Sequence, residues 1–567
     1  MQWRTIDTPN EAQKNLRKEL GVSEVVATLL AQRGFNDPAV ADRHLHPRLA
    51  HLDDPFAIKN LDAAVDRVIR AIDQGQSITI VGDYDVDGVT STSLLVMALR
   101  RLGASPRFYV PRRLDEGYGL SEPALERALA AGKPDLFIAL DCGTNSVSEV
   151  AGLRSEGIEV IIIDHHQSKD AEPADAILVN PHASGQGGAP WGDSCTVGLV
   201  FKFIHGLVKR LREAGNPAAV DTKLRDYLDL VALGTVADLV PLRDENRIFT
   251  RFGLDRLTRT DRPGLAALMQ VAGVEMGEPL STTDIAFRLG PRINASGRLA
   301  DASVPLNLLL SEEFSESLEL ARELDARNRE RQVIEREIYQ QASEQAKEQG
   351  DAPGLVVFGE EWHQGVVGIV AGKLAKEFLR PCLALGGEGM TFAKGSGRSL
   401  AGIDLQAALS LCDDLLIEWG GHPMAVGVTV ACDQITALRE AFSNAIHTVS
   451  PGRVDPELEI ASWLQASDLD EAVLNQLEEL QPFGQSNPMP VIGIKGVRLT
   501  EQARVFSEHH ARFRFYGGGG NAFSAVAWRF ADRLPPANRE IELAVKLGWN
   551  RWNGRCEPQA EVLDWRA

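Results

Sequence analysis

Three apolar runs that each end in aspartate or histidine constrain this chain more than any other feature. Ser77-Ile78-Thr79-Ile80-Val81 leads into Asp83, Asp85 and Asp87; Asp135-Leu136-Phe137-Ile138-Ala139-Leu140 leads into Asp141; Ile158-Glu159-Val160-Ile161-Ile162-Ile163 leads into Asp164-His165-His166. Each run has the length and apolar character of a buried strand, and helix-period segments at 90–102, 121–132 and 147–156 separate them. Alternation of this kind predicts parallel strands joined by right-handed crossovers, an α/β layered domain. In open α/β sheets the groups at the C-terminal strand ends converge on one crevice, so the three clusters are expected at a single site.

Carboxylates packed this closely repel one another unless cations lie between them. Asp238, after the apolar helical run Leu228-Asp229-Leu230-Val231-Ala232, is a fourth candidate. Carboxylate oxygens mixed with imidazole nitrogens suit Mn2+ or Mg2+ better than a thiolate-type zinc site. Taken singly, each piece has a plainer explanation: an aspartate after a strand caps the next helix, and a histidine pair packs. The Asp-x-Asp-x-Asp-Gly run also resembles an EF-hand loop, but that loop needs Glu at its twelfth position, where Leu94 stands. The plain explanations do not account for three consecutive strand ends all carrying ligand types.

At 567 residues the length prior gives about four domains. With 44% hydrophobic and 24% charged residues the composition is that of a globular protein, not a disordered or fibrous one. The net charge of −20 argues against a broadly basic surface, so a nucleic acid has to be met by a local patch or through metal ions. The cysteines, at 142, 195, 382, 412, 432 and 556, include no Cys-x-x-Cys pair and predict neither a zinc site nor a disulfide framework. The N-terminus has no signal-peptide core, and no run reaches the roughly 18 apolar residues of a membrane span; a cytoplasmic protein without membrane contact is expected.

Residues 1–50 read as a helical arm, 51–310 as the α/β domain, and 311–350 as one long helix with Phe314, Leu318, Leu324, Ile334 and Ile338 at roughly helical spacing. Residues 351–450 make up the next segment. From 451 the pattern becomes β-rich: Ala511–Tyr516 and Ala522–Trp528 around four glycines predict a hairpin. Further strands at 541–547 and 559–565 fit an OB-like β-barrel able to bind single strands. Phe513, Phe515 and Trp528 are expected in its core, and Arg512, Arg514, Arg551 and Trp552 are the candidates for contacts.

Asp83-Tyr84-Asp85-Val86-Asp87-Gly88, Asp141-Cys142-Gly143, Asp164-His165-His166 and Gly234-Thr235-Val236-Ala237-Asp238 resemble, in this order, the four motifs of the DHH phosphoesterase superfamily. Five further stretches are similar to signatures of its RecJ family: Gly117–Ser121, Leu289–Arg298, Trp362–Ile369, Gly395–Ser399 and Gly420–Pro423. Together they cover residues from about 80 to 430 of the chain. The resemblance implies two divalent ions, Mn2+ or Mg2+, held by Asp85, Asp87, Asp141, His165 and Asp238. Asp83, His166 and His422 would be catalytic, and Asp164 would orient the metal-binding histidine. Arg113, Arg292, Arg298, Ser396, Arg398 and Trp362 would contact substrate, with residues 351–450 as the DHH-associated (DHHA1) domain. It further implies 5′→3′ hydrolysis of single-stranded DNA in repair and recombination by a monomer, with single-strand-binding protein and a RecQ-type helicase as partners. One departure is Thr196, in Cys195-Thr196-Val197-Gly198, where the family pattern has glycine. Three alternatives stay open: a DHH phosphodiesterase for short oligonucleotides or cyclic dinucleotides, a pyrophosphatase, and a catalytically silent scaffold. Val81, where the pyrophosphatase branch carries histidine, speaks against the second.

Overall fold

The computed structural model describes residues 2–112, 116–117, 119–168, 171–183, 191–299, 303–387, 391–452, 457–537, 539–552 and 555–567, the side chains of 298, 299 and 552 excepted. The chain divides into two compact units: Met1–Gly290 with Pro305–Leu318 and Glu457–Ala567, and Pro291–Val304 with Glu319–Pro456.

The first unit is built on a five-stranded, all-parallel sheet. Its spatial order is Arg107–Tyr109, Ile78–Gly82, Leu136–Leu140, Glu159–Ile163 and Ile177–Val179. The middle strands are almost entirely buried, which is why they read as continuous apolar runs without alternation. Each expected strand is found within one residue of its predicted limits. The two edge strands were not anticipated, because three residues are too few to show a period. Chain order reverses between Ile78–Gly82 and Leu136–Leu140, which makes that boundary the sheet's topological switch point.

The OB-like barrel also belongs to the first unit. Ile492–Val497, Ile541–Trp552, Arg555–Arg566, Ala522–Ala527 and His510–Tyr516 pair in that order, and a bridge from Leu499 to Phe515 joins the last strand back to the first. Residues 1–50 hold three helices, yet they open on a strand, Gln2–Thr5, paired in parallel with Glu457–Ile460. Leu16, Val26 and Leu30 share one apolar core with Ile492, Phe515 and Val545 of the barrel. The arm is therefore part of the barrel's packing, a contact across more than 450 residues of sequence that local pattern does not carry.

The second unit carries a five-stranded sheet in the order Leu416–His422, Ala425–Ala431, Phe392–Arg398, Cys382–Gly386 and Leu355–Gly359. Gln364–Phe378 contributes to one apolar cluster on this sheet and Ile435–Val449 to another. The long helix is Phe314–Glu348, about 52 Å at 1.5 Å per residue. Leu324 and Ile338 are buried along it, as its spacing predicts, while Phe314 is exposed. Among the described residues no helix is long and apolar enough to cross a membrane. All six cysteines are free.

Candidate metal centre

The register of the parallel sheet sets the site. Gly82 pairs with Leu140 and Leu140 with Ile163, so the next residues, Asp83, Asp141 and Asp164, leave three neighbouring strands at one level. The amide of Asp83 donates to Leu140 O at 3.2 Å and that of Asp141 to Ile163 O at 3.0 Å, which carries the ladder into the site. Asp141 has φ 63°, a left-handed conformation that costs a non-glycine residue of the order of 1 kcal/mol or more.

After Asp83 the chain turns straight into the helix Val86–Arg101, whose N-cap is Asp85; its carboxylate accepts from Gly88 N at 3.0 Å. Gly88 lies so close to the turn that a Cβ there would meet Asp83 O at 2.3 Å, which explains the glycine after the third aspartate. Asp87 is buried, and the first amides of the helix Thr196–Glu213 donate to it: Thr196 N to Oδ2 at 2.7 Å and Val197 N to Oδ1 at 2.8 Å. The hydroxyl of Thr196 donates to Asp141 Oδ1 at 2.9 Å. The glycine that the resemblance implies here would offer no such hydroxyl. Asp238 ends the helix Leu228–Ala237. Gly234 of that helix lets it approach, since a Cβ there would lie 2.5 Å from Thr90 Oγ1 and 3.2 Å from Asp87 Oδ1.

Three overlapping groups of ligand atoms result, each within 4.8 Å internally: Asp141, His165 and His166; Asp87, His165 and Asp238; Asp83, Asp85 and Asp141. His165 Nε2 lies 3.4 Å from Asp141 Oδ1, 3.6 Å from Asp238 Oδ2 and 3.9 Å from Asp87 Oδ2. All seven sequence candidates for this centre meet here.

Asp164 stands behind them. Its Oδ1 accepts from the backbone amides of His165 and His166 at 2.8 and 3.1 Å, and lies 2.7 Å from His166 Nδ1. Its Oδ2 accepts from Thr144 N at 3.1 Å. The imidazole it fixes is thus that of His166, while His165 is held through its backbone. Asn180 closes this network, donating to Thr144 Oγ1 at 2.7 Å and His166 O at 2.9 Å. The sequence reading did not single out Thr144 or Asn180.

The electrostatics describe a cluster short of positive charge. Burial, and then the Asp85 carboxylate, push Asp87 up to about 7; burial, Asp87 and Asp85 push Asp238 up to about 9. Burial and Asp87 likewise raise Asp141. Burial works against a charged His166, but the hydrogen bond to Asp164 overcomes it and holds the imidazolium up to about 9. His165 is brought down to about 4 by burial and by His166, and so is neutral, the form that binds metal. Asp238 Oδ2 is buried without a hydrogen bond. Buried carboxylates that repel one another, an oxygen without a donor and a neutral imidazole fit hard divalent cations. The neighbouring thiols of Cys142 and Cys195 are raised well above the usual thiol range by burial and by the surrounding aspartates, and stay protonated.

The residues expected to contact substrate are dispersed. Arg113 lies outside the described residues, as do the side chains of Arg298 and Trp552. In the second unit, the Gly395–Arg398 backbone lies in a strand paired on both sides, so its amides are committed to the sheet. The side chains of Ser396 and Arg398 lie beside Gly368, 3.2 Å from where its Cβ would stand. His422 is exposed at the end of its strand. Arg292 forms an ion pair with Asp325, with contacts of 2.9 and 2.8 Å. Trp362 corrects an expectation: it is 3% exposed, packed in the core, its indole N–H on Gln341 Oε1 at 2.7 Å.

In the barrel, Phe513 and Phe515 are core, but Trp528 is exposed beside His510 and Phe506. Arg512 and Arg514 lie exposed on one strand face, whereas Arg551 is paired with Glu478 at 2.7 and 2.9 Å.

Family models match in three segments: the DHH family, N-terminal domain, over residues 77–235; the DHHA1 domain over 351–448; and the RecJ OB domain over 460–564. The single-stranded-DNA-specific exonuclease RecJ of Bacillus subtilis is 35% identical over 571 residues, covering 100% of this chain and 70% of that protein. The crystal structure of RecJ in complex with Mn2+ from Thermus thermophilus superposes with a TM-score of 0.81 at 31% identity, covering 100% of this chain and 79% of that one. Its complex with Mg2+ gives 0.76 at 30% identity, over 100% of this chain and 78% of that one. Whole-length identity at this level, with all three segments in order, places the chain in the RecJ family.

Proposed function

We propose that this chain is a metal-dependent exonuclease that degrades single-stranded DNA from its 5′ end to nucleotides. The observation that carries the reading is the convergence of seven ligand-type side chains at the level C-terminal ends of adjacent parallel strands. Asp85, Asp87, Asp141, His165 and Asp238 would hold two Mn2+ or Mg2+ ions, which supply a water deprotonated near neutral pH and neutralise charge on the phosphate. Asp87 is oriented for this by two helix amides and Asp141 by the Thr196 hydroxyl. His166, with Nδ1 on Asp164, keeps Nε2 as the nitrogen through which it acts on the phosphate or its leaving oxygen. Asp83, the residue nearest the strand end, shares a group with Asp85 and Asp141 and would position the attacking water. Ser396, Arg398 and His422 would bind the end phosphate. Arg292 could join them only by giving up Asp325. The exposed face of Arg512, Arg514 and Trp528 would stack and neutralise the strand.

On this reading residues 1–50 form the arm, 51–310 the catalytic domain, 311–350 the connecting helix, 351–450 the DHHA1 domain and 451–567 the nucleic-acid-binding barrel. A cytoplasmic monomer in repair and recombination, working with single-strand-binding protein and a RecQ-type helicase, belongs to the same reading and rests on the resemblance.

The test compares 5′- and 3′-labelled single strands and duplex in Mn2+, Mg2+ or EDTA, with Asp141→Ala as control. Early release of 5′ label from single strands only, abolished by EDTA and in the variant, is expected. Early release of 3′ label or equal attack on duplex sinks the polarity and strand assignments, and undiminished activity of Asp141→Ala sinks the metal assignment.

A further inference from the structure

A cavity of about 490 Å³ in the first unit shares no residue with the metal centre. Four arginines line it, Arg33, Arg43, Arg243 and Arg247, together with His44 and His51. A buried arginine normally comes with a carboxylate partner. Here, among the described residues, the donors these arginines spend go to carbonyl oxygens. Arg33 Nη2 donates to Pro488 O at 2.8 Å and Arg43 Nη2 to His51 O at 3.3 Å. Arg247, 1% exposed, donates to the carbonyls of His44, Glu479, Leu480 and Gln481 at 2.6–3.2 Å.

Two nitrogens on the wall are left over. Arg33 Nη1 is buried with no hydrogen-bond partner, and so is Nε2 of His44, a residue only 6% exposed. A buried charged donor such as Arg33 Nη1 without an acceptor costs about 1–3 kcal/mol or more. Such a group marks a place where an acceptor belongs.

The carboxylates on the wall, Asp53, Asp244 and Glu245, bond to neither nitrogen, and Glu245 Oε2 is itself buried without a partner. Glu245 Oε1 is taken by Lys202 Nζ at 2.6 Å and by the amide of Asp53 at 2.8 Å. Asp244 is raised from the usual carboxylate range by burial and by Asp193. Four arginines face these three carboxylates, and the positive charge is felt: burial, then Arg247, Arg33 and Arg243, force His44 down to about 2. In a chain of net charge −20 this is a local inversion of sign. Phe35 is also on the wall, its ring centroid 4.5 Å from that of His44, with Val40 and Ile248 adding apolar surface.

We infer that this cavity binds a phosphate monoester of nucleotide size, its phosphate on Arg33, Arg43 and Arg243 and its base against the Phe35 side. Guanidinium forks match phosphate oxygens in pairs. The volume falls within the range of small-molecule sites. The proposed activity supplies such a ligand as its product, but the site itself does not depend on that reading.

The test is calorimetric titration of the full chain in EDTA, so that no divalent ion can hold phosphate at the metal centre. Inorganic phosphate, 5′-dAMP and deoxyadenosine are compared at constant ionic strength. Saturable binding of phosphate, tighter binding of 5′-dAMP and none of deoxyadenosine are expected. Arg43→Gln and Arg243→Gln, both at exposed positions where the fold tolerates change, should each raise the Kd for 5′-dAMP about tenfold or more. No saturable binding, binding undiminished in both variants, or equal binding of deoxyadenosine overturns the site. Equal affinity for phosphate and 5′-dAMP overturns the nucleotide-sized ligand. Because no hydrolysis is measured, failure here is distinguishable from failure of the exonuclease reading.

Discussion

Replacing Thr196 by valine removes one hydroxyl from the metal centre while keeping the shape of a fully buried side chain. The hydroxyl donates to Asp141 Oδ1 at 2.9 Å, and Asp141 belongs to two of the three ligand groups. Its neighbours resist the charged form of Asp141, which burial and Asp87 raise well above the usual range. The hydrogen bond thus supports the ionisation that cation binding requires. A buried hydrogen bond to a charged group contributes about 1.5–3 kcal/mol. At about 1.4 kcal/mol per tenfold, its loss should weaken divalent-ion binding about 10–100-fold. Titration of Mn2+ followed by calorimetry, or by the electron paramagnetic resonance of the free ion, reads this without any turnover. The Mn2+ concentration for half-maximal hydrolysis should rise in parallel, with a smaller change in rate at saturating ion, and Thr196→Ser should restore both. A valine variant that binds Mn2+ as tightly as the parent chain refutes the assignment, because a hydroxyl serving only the helix start would not change ion affinity.

Three further outcomes are expected. Asp87, Asp141 and Asp238 hold their protons to higher pH in the folded than in the unfolded chain, where carboxylates titrate near 3.9. Between about pH 4 and 9 the native state therefore binds more protons, and its stability falls as pH rises; melts in EDTA should drop from pH 6 to 9, more steeply than melts in saturating Mg2+, and equal slopes exclude the empty cluster as the cause. Leu30→Ala opens a cavity in the core shared by the N-terminal helices and the barrel, and should cost about 2–5 kcal/mol in a denaturant melt; an unchanged midpoint would falsify the shared packing. Trp528→Ala should weaken single-strand binding by about 1–3 kcal/mol with melting unchanged, whereas Phe515→Ala should lower the melting temperature; the opposite pattern reverses the division of that barrel into core and contact face.

The strand ends were legible because two periodicities act together there. A buried parallel strand must be apolar throughout, and the residue after it must turn, so a polar cluster at that point stands out against the run before it. Asp83, Asp141 and Asp164 each announce themselves in this way, and the parallel register converts their sequence positions into one level in space. Arg292 and Trp362 show the opposite case. Arginine and tryptophan in a motif carry no sign of whether their polar atoms are used internally, and the structure gives Arg292 to Asp325 and Trp362 to Gln341. The strand Gln2–Thr5 and the core it introduces were hidden for a further reason, since their partners begin near residue 457.

Thr196 lies between these cases and shows what a departure from a family pattern can mean. Read as a sequence, threonine in place of the glycine that the resemblance implies is a loss of backbone freedom. Read in the structure, position 196 is the first residue of a helix that points its amides at Asp87, and a helical φ needs no glycine. The side chain is then judged by what it reaches, and it reaches a carboxylate that 55 residues of sequence separate from it. Glycine at this position would take this one hydroxyl donor away from Asp141. Threonine adds a donor aimed at the charged form. The substitution therefore bears on how tightly the cluster takes up its ions, and only secondarily on the shape of the cleft.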